Sequence, residues 1–264
     1  MADDTPNDTP PKGIEHVRKE IDRVDNELLS LIAQRLDLAG EVRRAKSGAR
    51  VWRPSREESH VRDLAERTDA APAELVSRIW AELMSASLAI QGPMRLHVAL
   101  EGDALDVWTL VRDRFGASIP ALSYPTASSA LAAAYGDNEG VAVLPVPGGM
   151  NTWWGALCSG GAMPEMNILA GLPRTGNANW PRAVAVATAD VQCSGADQTL
   201  IALTKRAAAS VLTQPKLRAE AGDNLLISVE DFITPCSDIF AAIKDQDPTA
   251  KIIGCLPYAM GVSL

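Results

Sequence analysis

The segment at residues 28–48 reads LLSLIAQRLDLAGEVRRAKSG and decides the fold of the first third of the chain. It continues an apolar pattern that begins at Ile14 with spacings of three and four, which is typical of a helix packed along a seam. At about 1.5 Å per residue, this helix would be roughly 50 Å long if it ends near Gly48. We expect such a length to pack against a second copy of itself. The apolar positions are 14, 17, 21, 24, 28, 31, 38, 42 and 45.

Two cations lie on the seam face of this helix. Arg35 occupies the seam position after Leu31, and Lys46 follows eleven residues later. Eleven residues make about three helical turns, so both side chains project from the same face. An arginine whose head reaches solvent or a nearby carboxylate is one explanation for Arg35 alone. Two cations on a packed face instead indicate an anion between them, because burying unpaired charge is costly.

Arg18 is a third cation on the same helix. It precedes Arg35 by seventeen residues, which places it about 100° away around the helix axis. It therefore does not easily reach the same pocket within one chain, but it would reach the pocket of a partner in an intertwined dimer. A solvated arginine in a charged first turn is the alternative for Arg18 taken alone.

Two further helices follow. The second starts in RPSREESHVRDLAERT at residues 53–68, where Pro54 suits a first turn and Ser55 with Glu58 has the spacing of a capping box. An Arg-Glu pair at residues 56 and 57 opens this helix, where such pairs usually serve capping and solvation. The third helix is predicted within the stretch 71–92 and ends before the pair Gly92-Pro93. Ser87 and Gln91 are spaced to share one of its faces, and a buried polar side chain there needs a backbone or ligand partner.

These patterns predict a multi-domain chain with an all-α three-helix unit at residues 14–92 and an α/β region after it. A polar, proline-rich lead-in at 1–13 is expected to be disordered. Short apolar runs alternate with a helical pattern over 95–188, which predicts an α/β segment. Residues 196–264 repeat strands and helices in a βαββαβ pattern with one strand weak or missing.

The composition excludes several classes of function. The 264-residue chain has a net charge of −8, which argues against a general nucleic-acid binder. It has no apolar run of membrane-spanning length and no signal-peptide pattern, so we expect a cytoplasmic protein without a membrane partner. Four scattered cysteines, three distant histidines and the lack of phosphate-binding glycine motifs predict neither a metal site nor a cofactor.

A set of polar residues in fixed order carries a family resemblance. Residues 14–92 resemble the all-helical, AroQ-class chorismate mutases, and they are most similar to the mutase domain of bifunctional chorismate mutase–prephenate dehydratases. The resemblance rests on Arg18, Asp25, Leu28, Leu29, Arg35, Leu38, Ala39, Val42, Lys46, Arg56, Glu57, Ser87 and Gln91.

The resemblance implies an isomerase that converts chorismate to prephenate in phenylalanine and tyrosine biosynthesis, without a cofactor. It implies that Arg35 and Arg56, with Arg18 from the partner of a homodimer, hold the carboxylates and ring of the substrate. It further implies that Lys46 and Gln91 face the ether oxygen. Glu57 and Ser87 would complete the polar lining of the site.

This sequence also departs from the family. Arg53 occupies a position that is often acidic in these mutases. The second half of the chain resembles a prephenate dehydratase followed by an ACT regulatory domain, but it lacks the Thr-Arg-Phe signature of the dehydratases. We therefore expect a degenerate, partly ACT-like region that serves stability, assembly or regulation.

Two other functions remain open from the sequence. An isochorismate–pyruvate lyase shares the helical fold and cationic pocket, although Glu57 favours a mutase because it can receive the hydroxyl of chorismate. A non-catalytic regulatory scaffold of the same fold is the second alternative. The complete set of cations argues against it, since unneeded buried charges destabilise a protein.

Overall fold

The computed structural model describes residues 13–45, 51–67, 70–207 and 216–261. Three helices come first, and a nine-stranded sheet with further helices follows. This order confirms the predicted class, an all-α N-terminal region followed by a C-terminal α/β region. The first three helices are α1 (Ile14–Ala45), α2 (Pro54–Glu66) and α3 (Ala73–Gln91).

Helix α1 lies against its own chain along only part of its surface. It packs on α3, and along the described helix Ala39 alone is buried. Leu28 and Leu31, both on the predicted seam, are 51% and 60% exposed. The apolar face that the sequence predicted therefore exists, and α1 presents most of it to the outside of this chain. The predicted helix end near Gly48 lies outside the described residues.

Helix α2 begins as predicted but not with the predicted cap. Pro54 occupies the first turn, where its missing N–H leaves no helical hydrogen bond unmade. The capping box of Ser55 and Glu58 is wrong, because the N-cap residue is Arg53 and no side chain caps the helix. The Ser55 hydroxyl donates to the Gln192 carbonyl, and the Glu58 carboxylate lies in a buried ion cluster. Both side chains instead bind groups of the α/β region.

The α/β region begins with alternating strands and helices, as its sequence predicted. Strand β1 pairs in parallel with β2 and β3, while β5 runs antiparallel to β3 and β4. The order across the sheet is β2-β1-β3-β5-β4-β9-β6-β8-β7. The elements are β1 (Arg95–Val98), α4 (Ala104–Phe115), β2 (Ala121–Ser123), α5 (Ala127–Tyr135), β3 (Gly140–Pro145), a 3₁₀ turn (Trp153–Leu157), β4 (Asn167–Leu172) and β5 (Ala183–Ala187).

The last four strands have the order β9-β6-β8-β7 and pair antiparallel, which is the ferredoxin-like arrangement of a βαββαβ unit. This confirms the partly ACT-like class predicted for the C-terminal region. Residues 205–207 are helical, and the rest of the helix predicted there lies outside the described residues. The elements are β6 (Asp197–Thr204), β7 (Lys216–Ala221), β8 (Asn224–Glu230), α6 (Asp238–Gln246) and β9 (Lys251–Pro257).

Strand β7 is the strand that the sequence analysis counted as weak or missing. It reads KLRAEA and lies at the edge of the sheet, where it pairs with β8 alone among the described strands. An edge strand tolerates charged side chains that a central strand would exclude. Its polar composition therefore hid it from a search for apolar runs; of the two predicted possibilities, a weak strand or a missing one, the second is wrong.

The core lies on both faces of the sheet. All five residues of β5 are buried, and those of β3 are buried up to Leu144. One face packs on Leu131 and Trp154, and the other face packs on Val111 and Phe115 of α4. The central strands are thus covered on both sides, which explains their uninterrupted apolar sequence.

Helix α4 joins the helical region to the sheet. Gly116, the C-cap residue that follows α4, has φ +68°, and a Cβ there would lie 2.6 Å from the Ser85 Cβ of α3. Only glycine allows both this backbone conformation and this close approach. The rings of Trp52, before α2, and Phe115, on α4, also meet at 5.7 Å between centroids. These contacts fix α4 against the helices that precede it.

No helix within the described ranges combines the length and apolarity that a membrane span requires. The same ranges contain no cluster of three His, Cys, Asp or Glu side chains with a geometry suited to a metal ion. The four cysteines are free thiols.

Candidate active site

A cavity of about 280 Å³ opens between the first three helices. Five of the seven predicted site residues line it: Arg35, Arg56, Glu57, Ser87 and Gln91. Its other lining residues are Leu38, Ala39, Val42, Val51, Arg53, His60, Met84 and Leu88. Of the two remaining predicted residues, Lys46 lies outside the described residues, and Arg18 lies elsewhere on α1.

Arg35 reaches from α1 across the cavity to α3. Its Nη1 donates to the Ser87 Oγ at 2.6 Å and to the Leu83 carbonyl at 2.8 Å. Burial lowers the pKa of Arg35, and the nearby Glu57 charge partly opposes that shift. The guanidinium is thus held in place and is partly withdrawn from water. Its position explains why the apolar seam is broken at residue 35.

Helix α3 supplies polar groups from one face, as the spacing predicted. The buried Ser87 hydroxyl donates to the Leu83 carbonyl at 2.7 Å and accepts from Arg35. Gln91 lies one turn further on and lines the same cavity. Gly92 follows directly, and a Cβ there would lie 2.6 Å from a methyl carbon of Val51.

Glu57 of α2 is buried in the cavity wall. Its Oε1 accepts from Nη1 of Arg114 at 2.7 Å and from Nη2 of Arg174 at 2.9 Å. Its Oε2 accepts from the indole N–H of Trp52 at 3.1 Å. Burial alone would raise the pKa of Glu57, but the charges and hydrogen bonds of the two arginines outweigh it and lower the pKa. Glu57 is therefore an anion at neutral pH.

An ion cluster extends from Glu57 into the α/β region. Arg174, which follows β4, donates from Nε to the Glu58 Oε2 at 3.0 Å. Arg114 of α4 approaches the same oxygen at 3.8 Å, and Arg62 approaches the other oxygen of Glu58 at 3.9 Å. The side chains of Arg114 and Arg174 are each 1% exposed. Two carboxylates of α2 are therefore neutralised by arginines that lie far away in the sequence.

The sequence analysis missed Arg114 and Arg174. Arg114 carries the same signal as Arg35, because it lies on the apolar face of its helix beside Leu110 and Val111. Arg174 follows a buried strand, in a segment without periodicity, and its sequence offers no comparable signal. The sequence alone does not show that either arginine contacts Glu57.

Two further basic side chains line the cavity. One is Arg53, at the position where the resembled family often has an acidic residue. His60 lies one turn after Arg56, and the sequence analysis did not single it out. Burial and the charges of Arg35, Arg56 and Arg67 lower the pKa of His60. Arg35, Arg53 and Arg56 make the cavity electropositive, with Glu57 as an anion in its wall.

Arg18 does not contribute to this cavity within one chain. Its guanidinium is exposed and pairs with Glu15 at 2.8 Å. Seventeen residues of helix separate it from Arg35, which corresponds to about 26 Å along the axis. Arg18 is therefore too far along α1 to reach the cavity of its own chain.

The arrangement suits a small polyanion with a polar, non-ionic group. Guanidinium groups bind carboxylates through paired, charge-assisted hydrogen bonds. The Glu57 carboxylate accepts hydrogen bonds and repels further anions. The groups that line the cavity can therefore bind an anion and stabilise negative charge.

Comparison with known proteins agrees with the helical part of this description. Residues 17–92 match the family model described as chorismate mutase type II. No curated protein matches this chain.

Three solved structures show a partial similarity to this chain. GqqA, described as a novel type of quorum quenching acylase, has 14% identity and TM-score 0.43, over 63% of this chain and 96% of its own. A prephenate dehydratase from Arthrobacter aurescens, in complex with L-Phe, has 11% identity and TM-score 0.43, over 63% and 90%. A prephenate dehydratase from Streptococcus mutans has 14% identity and TM-score 0.40, over 62% and 98%.

Proposed function

We propose that this protein, whose residues 17–92 form a chorismate mutase type II domain, is an isomerase that rearranges chorismate to prephenate. The cavity between α1, α2 and α3 is the proposed active site. One observation carries the proposal: three helices contribute Arg35, Arg56, Glu57, Ser87 and Gln91 to the lining of this one cavity. The proposed role in the cell is a step of phenylalanine and tyrosine biosynthesis.

The chemistry of the rearrangement matches a site without an acid–base pair. One ether C–O bond breaks and one C–C bond forms within the same molecule, and no proton is transferred. A protein accelerates such a step by holding the dianion in its compact reactive conformer. It also accelerates the step by stabilising the charge that grows on the ether oxygen.

Each lining residue has a proposed task. Arg35 and Arg56 bind the two carboxylates of the substrate, and Ser87 holds Arg35 in place. Glu57 accepts a hydrogen bond from the substrate hydroxyl. Gln91 donates to the ether oxygen together with Lys46, whose role follows from the family resemblance alone because it lies outside the described residues.

The proposed active unit is a homodimer that pairs through α1. The exposed apolar side chains of this helix support the proposal, since contiguous exposed apolar surface of this kind marks an interaction site. In such a dimer, Arg18 of one chain would extend to the cavity of the other and add a cation to it. The solvent-exposed Arg18–Glu15 pair is worth little and would not hinder this.

A continuous assay of chorismate consumption tests the proposal, with prephenate identified by proton NMR. We expect turnover by the unmodified protein. Arg35→Ala should raise KM and lower kcat/KM by on the order of 10²-fold, because the arginine binds a carboxylate in both the ground and the transition state. Arg78→Ala is the matched control, since Arg78 is exposed on α3 and pairs with Asp113 at 3.2 Å.

The same assay separates the alternatives. Isochorismate converted to pyruvate and salicylate, with chorismate left intact, would identify a lyase. An unmodified protein that consumes neither compound would identify a scaffold. Turnover of chorismate that is unaffected by Arg35→Ala would place the active site elsewhere.

A further inference from the structure

We propose that Arg114 and Arg174, both in the α/β region, are positioning residues that hold the Glu57 carboxylate in one orientation in the wall of the mutase cavity. This inference rests on the proposed function, because it assigns the α/β region a part in the same reaction. The two arginines act through Glu57 and do not line the cavity themselves.

The contacts of Glu57 define that orientation. Both arginines donate to Oε1, and the indole of Trp52 donates to Oε2. A carboxylate offers about four acceptor positions, so these three donors leave one, on Oε2. Because Glu57 lines the cavity, this remaining position is the one available to a substrate hydroxyl. The two arginines thus determine which carboxylate oxygen the substrate meets.

The cluster is poorly explained as a device for stability. Buried ion pairs contribute little net stability unless all their polar atoms are satisfied. Here Nε and Nη2 of Arg114 and Nη1 of Arg174 are buried and have no hydrogen-bond partner within the described residues. In other proteins, replacing a buried ion cluster by apolar side chains of similar volume is often neutral or stabilising. The cluster leaves several buried donors without a partner, yet it directs two other donors at Oε1 of Glu57. A need to orient the Glu57 carboxylate explains this arrangement better than a contribution to stability.

The charges around Glu57 come from every element that meets it. Arg114 lies on α4, Arg174 follows β4, Arg35 lies on α1, and Glu58 is its neighbour on α2. Burial raises the pKa of the Glu57 carboxyl, whereas Arg114 and Arg174 lower it, and the combined effect of the arginines is the larger one. Removal of either arginine leaves the burial in place, so the pKa of Glu57 then rises. Protonation of Glu57 would turn an acceptor towards the substrate into a donor and weaken the site at low pH.

The experiment compares Arg174→Gln with the unmodified protein in two measurements. The first is the pH profile of kcat/KM for chorismate, and the second is the titration of the Glu57 carboxyl by ¹³C NMR, assigned through its loss in Glu57→Gln. We expect the acid limb and the carboxyl titration to move upwards together by about one to three pH units. Arg174→Lys should restore the position of the limb, because it returns the charge.

Arg218→Gln is the matched control. Arg218 also lies in the α/β region and is partly buried, and it donates to Ser228 and Gln198. We expect its loss to leave both titrations unchanged. If Arg174→Gln does not fold, the double variant Arg174→Gln/Glu58→Gln takes its place, since it removes one charge of each sign.

The outcomes are distinct. A lowered melting temperature with an unchanged acid limb and an unchanged carboxyl titration would overturn the proposal and leave a structural role. If the unmodified protein does not consume chorismate, the proposed function fails. The NMR titration still decides whether the arginines control Glu57: an upward shift in Arg174→Gln supports that control, and no shift refutes it.

Discussion

Two walls of the cavity, formed by α1 and by α2, differ in what surrounds them. The wall formed by α1 continues into apolar surface that its own chain leaves exposed, with Leu28 and Leu31 more than half accessible. In the wall formed by α2, Glu57 and Glu58 are buried among arginines from the α/β region. One wall is expected to need a second copy of the chain, and the other is completed by the chain itself. In the proposed dimer, a single small cavity thus depends on two neighbours of different kinds.

The largest expected effect comes from the α1 wall. Leu28→Asp combined with Leu31→Asp places charges on the apolar face, so we expect monomers in sedimentation at micromolar concentration. We also expect chorismate turnover to fall to background, because Arg18 no longer reaches a partner's cavity. Leu105→Asp is the matched control, since Leu105 is a 76% exposed leucine on α4. An unmodified protein that is monomeric and fully active would break the comparison between the two walls.

Lys46, whose role follows from the family resemblance alone, provides a test of the proposed chemistry. If it donates to the ether oxygen, its interaction strengthens as that oxygen gains charge. Lys46→Ala should therefore lower kcat and kcat/KM together by on the order of 10²-fold or more. Lys244→Ala, on α6, should leave both unchanged. A well-folded Lys46→Ala dimer with near-normal kcat would remove Lys46 from the proposed mechanism.

His60, on α2, provides a test of ligand binding at the α2 wall of the cavity. Burial and three arginines lower its pKa in the free protein, and a bound dianion would offset those cations and raise it. Binding then takes up a proton, so affinity is highest below the free pKa and falls as pH rises through the bound pKa.

The KM for chorismate should therefore rise by about threefold as the pH increases from below the pKa of His60 in the free protein to above its pKa in the complex. We expect His60→Gln to remove the dependence and His16→Gln, outside the cavity, to keep it. Proton uptake measured by calorimetry in buffers of different ionisation enthalpy gives an independent check. Binding without proton uptake would show that His60 does not sense the ligand.

The smallest expected effect concerns the α/β region as a catalyst. Its sequence lacks the Thr-Arg-Phe signature, so we expect no conversion of prephenate to phenylpyruvate above the background rate at neutral pH. Product formation followed by its ultraviolet absorbance in alkali measures this. Enzyme-dependent formation of phenylpyruvate would mean that the α/β region is itself a catalyst, whether or not it also positions Glu57.

The sequence predicted the features that depend on local periodicity. The apolar spacing of α1 was sufficient to predict a long helix and to mark Arg35 as an anomaly, and helical spacing placed Ser87 and Gln91 on one face. These predictions succeeded because a helix turns by a fixed angle per residue. The three-helix arrangement and the α/β class of the second half followed from the same kind of pattern.

The failures share a different cause. The capping box at Ser55 and Glu58 is a local rule that was overridden by partners from distant parts of the chain. Arg114 and Arg174 are separated from Glu57 by 57 and 117 positions, and only the folded sheet brings them together. Charge clusters assembled from separate elements have no period, so pattern analysis cannot find them.

The two edges of the nine-stranded sheet have a consequence for how copies of this chain assemble. Strand β2 is only three residues long, and β7 carries Lys216, Arg218 and Glu220 on its six residues. Short or charged edges resist the addition of a further strand from another molecule. With both edges protected in this way, growth of an open fibre along the sheet is disfavoured. The pairing through α1 that we propose closes on itself after two copies and does not need a sheet edge.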